Sequence, residues 1–189
     1  MNNIDINIIG YKKITFQRGI TPLEILHLDS KISKKSIICK INGVLSDLST
    51  SLINDCDLQF MDAKSKDGHS VLLHSTAHLM AQAVKRLFPK TKVTIGPFLE
   101  NRFYYDFDVE TPFSEQDLAK IEEEMVNISN ENLEIVHEVK SRDEAISFFD
   151  KIGEEYKVEI INDLDKDETL KVYSQGEFTD LCRGPHVQS

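Results

Sequence analysis

SVLLHSTAHLMAQAVKRLFP, residues 70–89, is the stretch at which the pattern of the sequence changes. Ser70 is a typical helix N-cap and Pro89 follows the last apolar residue, so a helix of about five turns is predicted between them. Short runs typical of strands come before this helix, and alternating strands and helices follow it. We therefore predict an α+β fold in which helices pack on a mostly antiparallel sheet.

The residues before this helix favour several short strands around one helix. The strand-like runs INIIG and KKITF come first, and Thr21 followed by Pro22 is a typical helix start. The pair Asn42-Gly43 lies between two alternating segments and predicts a β-hairpin. These features predict a β-grasp, ubiquitin-like domain over residues 1–63. A second domain is predicted over residues 64–189, with KSKDGH at its start as a linker.

The second domain is predicted to mix helices and strands. Pro97 marks the expected end of its first strand. Helices are indicated by SEQDLAKIEEEMVNISNEN, which Ser114 caps, and by SRDEAISFF, whereas strands are indicated by LEIVHEV, YKVEII and LKVYSQ.

Composition and targeting signals indicate a soluble globular protein. Of the 189 residues, 40% are hydrophobic and 29% are charged. No apolar run approaches the roughly 18 residues of a membrane span, and the start of the chain lacks the features of a signal peptide. The three cysteines are an odd number without disulfide spacing, which suits a reducing compartment. We therefore predict a cytoplasmic protein without a membrane partner.

The net charge of −10 argues at first against a nucleic-acid partner. The acidic residues are concentrated between 110 and 168, however, so the rest of the chain is slightly basic. A cluster of basic residues follows the helix of residues 70–89 and indicates either a phosphate-binding rim or a solvated helix end. Its members are Lys85, Arg86, Lys90, Lys92 and Arg102.

Two pairs of potential ligands have the spacing of a metal site. His74 and His78 are four residues apart, so both rings project from one face of the predicted helix. Cys182 and His186 have the same spacing in the turn DLCRGPH, and the four residues together form a possible zinc set. Alternatively, the histidines belong to the core, and DLCRGPH is a turn in which Asp180 is a cap. A zinc protease is a poor interpretation, because such enzymes place Glu where this chain has Ser75.

Four separated motifs resemble the editing domain of threonyl-tRNA synthetases. They are HSTAHLMAQAVKRLFP (74–89), IGPF with FYYDF (95–107), EEYKVEII (154–161) and DLCRGPHV (180–187). Residues 1–63 are similar to the TGS-type domain of the same family. The resemblance implies an N-terminal portion of the enzyme, with the editing domain truncated at its C-terminus. The aminoacylation domain, with its ATP, Mg and catalytic zinc, is then absent from the chain.

This resemblance implies hydrolysis of Ser-tRNA(Thr). Serine lacks one methyl group of threonine, and one methyl supplies only about 1–3 kcal/mol of discrimination in a binding pocket. A second site that hydrolyses the seryl ester supplies the remainder. The implied partners are the acceptor end of tRNA(Thr) and the remaining domains of the synthetase.

The resemblance also implies roles for the site residues. His74 and Lys157 are expected to handle the water and the proton, with His78 supporting His74. Asp180 is expected to hold the seryl ammonium. Cys182 and His186 are expected to shape the pocket. Further substrate contacts are expected from Arg183 and from Tyr104, although Tyr105 is the alternative to Tyr104 on the same strand.

The implied hydrolysis requires no metal, whereas the similar residues of alanyl-tRNA synthetases are associated with zinc. Binding of a zinc ion by His74, His78, Cys182 and His186 is therefore an open alternative. Two other functions also stay open. One is a tRNA-binding or docking module without catalysis, and the other is a zinc-binding trans-editing deacylase.

Overall fold

The computed structural model describes residues 3–29, 31–32, 34–96, 98–99 and 102–189. The chain divides into two compact units. The first unit is Met1–Leu72 together with Gly184–Gln188, and the second is Leu73–Arg183 together with Ser189. Among the described helices, none is long and apolar enough to cross a membrane.

The first unit is a five-stranded sheet with one short helix. Its elements are β1 (Asn3–Ile8), β2 (Lys13–Gln17), α1 (Pro22–Leu28), β3 (Ser36–Ile41), β4 (Val44–Ser46) and β5 (Cys56–Asp62). The strand order is β2-β1-β5-β3-β4. β1 and β5 are parallel, and the other neighbours are antiparallel. The helix packs on this sheet through an apolar core that includes Ile6, Ile25 and Leu58.

Local signals in the first unit are confirmed. The Thr21 hydroxyl accepts a hydrogen bond from the Glu24 N–H, and the Glu24 side chain accepts one from the Thr21 N–H, which forms a capping box. Asn42 and Gly43 have φ angles of 50° and 83°, as the two central residues of a type I′ hairpin require.

The first long helix, α2 (Lys66–Leu87), begins five residues earlier than the sequence predicts. Ser65 provides the cap, because its hydroxyl accepts a hydrogen bond from the Gly68 N–H at 3.1 Å. The predicted cap Ser70 instead donates its hydroxyl to the Lys66 carbonyl inside the helix. The predicted linker KSKDGH is therefore wrong in its last four residues, 66–69, where a polar composition concealed the first helical turn.

The second unit contains most of the helices. Its elements are β6 (Lys92–Val93), β7 (Phe98–Leu99), β8 (Arg102–Phe103), β9 (Phe107–Asp108), α3 (Glu115–Glu131), β10 (Ile135–Lys140), α4 (Arg142–Lys151), α5 (Glu155–Asp163), β11 (Leu170–Gln175) and β12 (Phe178–Leu181). The described strands form an antiparallel sheet β10-β11-β12 and two short antiparallel pairs, β6-β9 and β7-β8. The α+β prediction is confirmed.

Helix α2 organises the core of this unit. Ala77 and Ala81 pack against a cluster that contains Val93, Tyr105 and Phe178. Further along the helix, Ala83 and Val84 pack against Ile121 and Ile128 of α3. Small alanine side chains allow both groups of neighbours to approach the α2 backbone closely.

One predicted strand is wrong. The segment YKVEII forms helix α5, in which Lys157 and Ile161 are buried at a spacing of one helical turn. The predicted strands around residues 91–110 consist of two-residue pieces. Pro97, where the sequence predicts a strand to end, lies outside the described residues.

Candidate active site

A cavity of about 370 Å³ in the second unit brings together residues from distant parts of the sequence. His74 and His78 come from α2, Lys157 comes from α5, and Asp180 comes from β12. The other lining residues are Ile95, Gly96, Ile160, Leu181, Cys182 and Arg183. Six of the residues that the sequence analysis singled out therefore face one cavity.

The two histidines of α2 lie side by side at this cavity. Their ring centroids are 5.0 Å apart, and His74 Nε2 lies 3.1 Å from Cys182 Sγ. Burial lowers the pKa of His74. Burial, together with His74 and the Lys157 ammonium, lowers the pKa of His78 further. Both imidazoles are therefore neutral at neutral pH, which leaves each ring one nitrogen able to accept a proton.

Lys157 and Asp180 form a buried ion pair beside the histidines. The Lys157 Nζ atom lies 2.5 Å from Asp180 Oδ1, and each side chain is at most 3% exposed. Lys157 also donates to the Thr94 carbonyl at 2.5 Å. The other carboxylate oxygen, Asp180 Oδ2, lies 3.6 Å from His78 Nδ1. The carboxylate thus links the ammonium to the imidazole pair.

Tyr105 completes this network. The sequence analysis expected a substrate contact from Tyr104 and gave Tyr105 only as the alternative. Its hydroxyl donates to Asp180 Oδ2 at 2.5 Å and accepts a hydrogen bond from Lys157 Nζ at 3.0 Å. Burial and the Asp180 charge raise its pKa, so the phenol stays protonated and can donate. Tyr104 is 41% exposed and is not among the residues that line the cavity. Alternation along a strand predicts that the two face opposite ways but not which one faces inward.

Gly96 lines the cavity next to the Tyr105 ring. A Cβ atom built at this position would lie 2.1 Å from Tyr105 Cδ2, far inside van der Waals contact. The ring can therefore reach the Asp180 carboxylate only because residue 96 has no side chain. In the motif IGPF, the sequence analysis predicted that Pro97 ends a strand, but it predicted no separate role for Gly96.

The remaining predicted residues have different surroundings. Arg183 lines the cavity, but its side chain is 78% exposed and Nε lies 2.6 Å from Glu168 Oε1. His186 belongs to the first unit, where it is buried and its backbone N–H donates to Asp47 Oδ1 at 2.9 Å.

Three members of the basic cluster are paired within the second unit, and one of them is Lys92, whose Nζ atom lies 3.5 Å from Glu155 Oε1. Lys85 Nζ lies 2.6 Å from Glu154 Oε1. Arg86 binds the carboxylates of Glu124, Glu131 and Glu177. These three cations therefore neutralise acidic residues of the unit. The sequence could not distinguish such pairing from a phosphate-binding rim.

The cavity has ligand atoms suited to a metal ion. The donor atoms of His74, His78 and Cys182 lie within 4.8 Å of one another. Two imidazole nitrogens and one thiolate are a donor set that zinc accepts. This spacing is compatible with a metal site as well as with a hydrogen-bonded pocket.

The buried histidines predict a dependence of stability on pH. The pKa values of both are lowered from an ordinary value of 6.5, so the unfolded chain binds more protons below that pH. The free energy of unfolding is therefore expected to fall as the pH falls below 6.5, by at most about 1.4 kcal/mol per pH unit for each group. Urea unfolding at about pH 7.5 and about pH 5.5 measures this fall in the free energy of unfolding.

The variant His78→Gln provides the comparison for this prediction. It removes the group with the larger shift, while Asp180, Lys157, Tyr105 and Cys182 still face the site. Its stability is expected to decline less between the two pH values than that of the wild-type chain. Equal declines would contradict the prediction.

Comparison with known proteins identifies relatives that all belong to the aminoacyl-tRNA synthetases. Residues 170–189 match the family described as "Threonyl and Alanyl tRNA synthetase second additional domain". The chain is 47% identical over 175 residues to the threonine–tRNA ligase of Ehrlichia chaffeensis, which covers 92% of this chain and 28% of that protein. The corresponding enzyme of Carboxydothermus hydrogenoformans is 49% identical over the same shares. That of Marinobacter nauticus is 49% identical over 84% of this chain and 25% of its own length.

The aligned region therefore covers nearly all of this chain but only part of each relative. The chain spans between a quarter and a third of the length of the curated proteins it matches. The resemblance inferred from the four motifs is confirmed: the chain is related to the threonyl-tRNA synthetases and corresponds to a part of these enzymes.

Proposed function

We propose that the second unit hydrolyses the ester of Ser-tRNA(Thr) and so edits mischarged tRNA. The observation that carries the proposal is the cavity in which two neutral imidazoles, a thiol and a buried Lys–Asp–Tyr network meet. Ester hydrolysis needs a base for the water, a proton for the departing ribose oxygen and a charge that fixes the substrate. The relationship to threonine–tRNA ligases supports this choice of substrate.

The reaction can be assigned to these residues. His74 accepts a proton from a water molecule, whose oxygen attacks the carbonyl carbon of the seryl ester. The bond from that carbon to the ribose oxygen breaks, and the proton is delivered to this oxygen. Lys157 stabilises the negative charge that develops on the carbonyl oxygen. The products are serine and tRNA with a free terminal hydroxyl.

Other residues hold the substrate in this proposal. Asp180 binds the α-ammonium group of the seryl moiety, and the Tyr105 hydroxyl keeps the carboxylate in place. Cys182 and His78 orient His74. Tyr104 and Arg183 are exposed and are proposed to contact the terminal adenosine or its phosphate.

For the first unit we propose a TGS-type β-grasp domain over residues 1–63, preceding an editing domain over residues 64–189. The strand order β2-β1-β5-β3-β4, with a parallel central pair, supports this proposal. The proposed partners are the acceptor end of tRNA(Thr) and the other domains of a synthetase. Aminoacylation, with ATP and Mg, would belong to those other domains.

A deacylation assay tests the function. The chain is incubated with Ser-tRNA(Thr) and, in parallel, with Thr-tRNA(Thr), and the remaining aminoacyl ester is measured against time. Faster loss of the seryl ester than in buffer supports editing. Binding of either tRNA without any hydrolysis would instead indicate a docking module.

A zinc-dependent deacylase is the second candidate, because three donor atoms lie within 4.8 Å of one another. His74, His78 and Cys182 would hold the ion. We expect purified protein to contain far less than one zinc per chain by elemental analysis. Near-stoichiometric zinc that is lost together with hydrolysis in Cys182→Ala would overturn the metal-free proposal.

A further inference from the structure

A second buried carboxylate lies outside the cavity and has no part in the chemistry proposed above. Glu154 is 3% exposed, and it immediately precedes helix α5. Its Oε1 atom lies 2.6 Å from Lys85 Nζ, and its Oε2 atom accepts a hydrogen bond from the Val93 N–H at 3.2 Å. A buried carboxylate with both oxygens bound is fixed in place.

Glu154 contacts the surroundings of Lys157 in two ways, through its side chain and through its backbone. Val93 is followed by Thr94, whose carbonyl accepts the hydrogen bond from Lys157 Nζ. The backbone carbonyl of Glu154 accepts a hydrogen bond from the Lys157 N–H at 3.0 Å in the first turn of α5. Glu154 therefore contacts both the segment that accepts the hydrogen bond from the Lys157 ammonium and the helix that carries Lys157.

Lys85 extends this arrangement to the helix of the histidines. Its ammonium also donates to the Thr91 carbonyl at 2.9 Å and to the Pro89 carbonyl at 3.3 Å. Lys85 lies on α2, which carries His74. The pair of Lys85 and Glu154 thus connects α2, the segment that leads into β6, and α5.

We propose that Glu154, held by Lys85, is a positioning residue that sets the location of the Lys157 ammonium in the cavity. The consequence for catalysis rests on the proposed function, but the effect on Lys157 does not. Displacement of a reacting group by about 1 Å through a distant substitution can reduce turnover about 100-fold. Glu154 touches no substrate in this proposal, so its effect on substrate binding should be small.

The variant Glu154→Gln tests the proposal. The amide keeps one oxygen acceptor but directs an NH₂ group at a donor, either the Lys85 ammonium or the Val93 N–H, so one contact is lost. Glu155→Gln is the matched control, because the adjacent Glu155 is 71% exposed and lies 3.5 Å from Lys92 Nζ. If Glu154→Gln does not fold, Lys85→Gln removes the same ion pair from the other side.

Two readouts are measured on folded protein. One is the ¹³Cε resonance of Lys157 in chains with ¹³C-labelled lysine, assigned by its loss in Lys157→Met. The other is kcat and KM for hydrolysis of Ser-tRNA(Thr). Glu154→Gln is expected to shift the resonance and to lower kcat on the order of 100-fold at nearly constant KM. The control is expected to change neither.

An unchanged resonance overturns the proposal, whatever happens to stability or turnover. A shifted resonance with unchanged kcat overturns it equally when the wild-type chain is active. A wild-type chain without hydrolysis refutes the proposed function, and the resonance alone then decides whether Glu154 positions Lys157.

Discussion

Replacing Lys157 by methionine is expected to lower the free energy of unfolding of the second unit by about 3–5 kcal/mol. The ammonium and the Asp180 carboxylate are both almost fully buried, so solvent does not screen their interaction. Methionine fills the volume of the lysine stem but leaves the carboxylate without its cation. Removing one partner of a buried pair is costly because the other charge stays desolvated. Urea unfolding at neutral pH measures the loss.

The double variant Lys157→Met/Asp180→Asn separates stability from chemistry. It removes both charges while the Tyr105 hydroxyl keeps an oxygen acceptor, so most of the lost stability is expected to return. Hydrolysis of Ser-tRNA(Thr) should not return, because the ammonium is still missing. Recovery of turnover together with stability would show that Lys157 serves the fold alone.

Replacing His74 by alanine is expected to reduce hydrolysis of Ser-tRNA(Thr) by about 10²- to 10⁴-fold, the usual contribution of a general base. His74 combines a lowered pKa, a position on the cavity wall and a contact of 3.1 Å with the Cys182 thiol. The rate is measured under single-turnover conditions, so that release of the tRNA does not hide the effect.

His137→Ala is the matched control for this experiment. His137 lies on β10 of the same unit, is partly buried against Tyr173 and does not line the cavity. Its replacement should leave the rate within about twofold of wild type, because His137 lies outside the cavity and substitutions away from a site usually change free energies by no more than about 0.5 kcal/mol. Equal losses in the two variants would refute the role of His74.

Much of the site could be predicted because its residues stand in short motifs. The spacing of His74 and His78 on a helix predicted one shared face, and the structure has both rings 5.0 Å apart. Cys182 was singled out by its spacing to His186 in the turn DLCRGPH, and its sulfur does reach His74. The capped helices α1 and α3 were predictable for the same reason, since their signals are local.

The failures come from interactions between distant segments. The segment YKVEII contains aromatic and β-branched residues that favour a strand, yet it forms α5 because Lys157 and Ile161 are buried on one helical face. Tertiary contacts commonly override such weak local preferences. The Tyr105 network and the Glu154–Lys85 pair connect residues 52 to 75 positions apart, and no local pattern encodes them.

The absence of a side chain at Gly96 has a consequence for natural and designed variants. The phenol of Tyr105 occupies the space that even the smallest side chain would claim, so alanine there must displace the ring from Asp180. Exchanges between glycine and alanine usually rank among the mildest substitutions, but here the methyl group would compete with the hydrogen bond between Tyr105 and Asp180 in the candidate site. Empty volume at one position is thus as much a requirement of this site as any of its polar atoms.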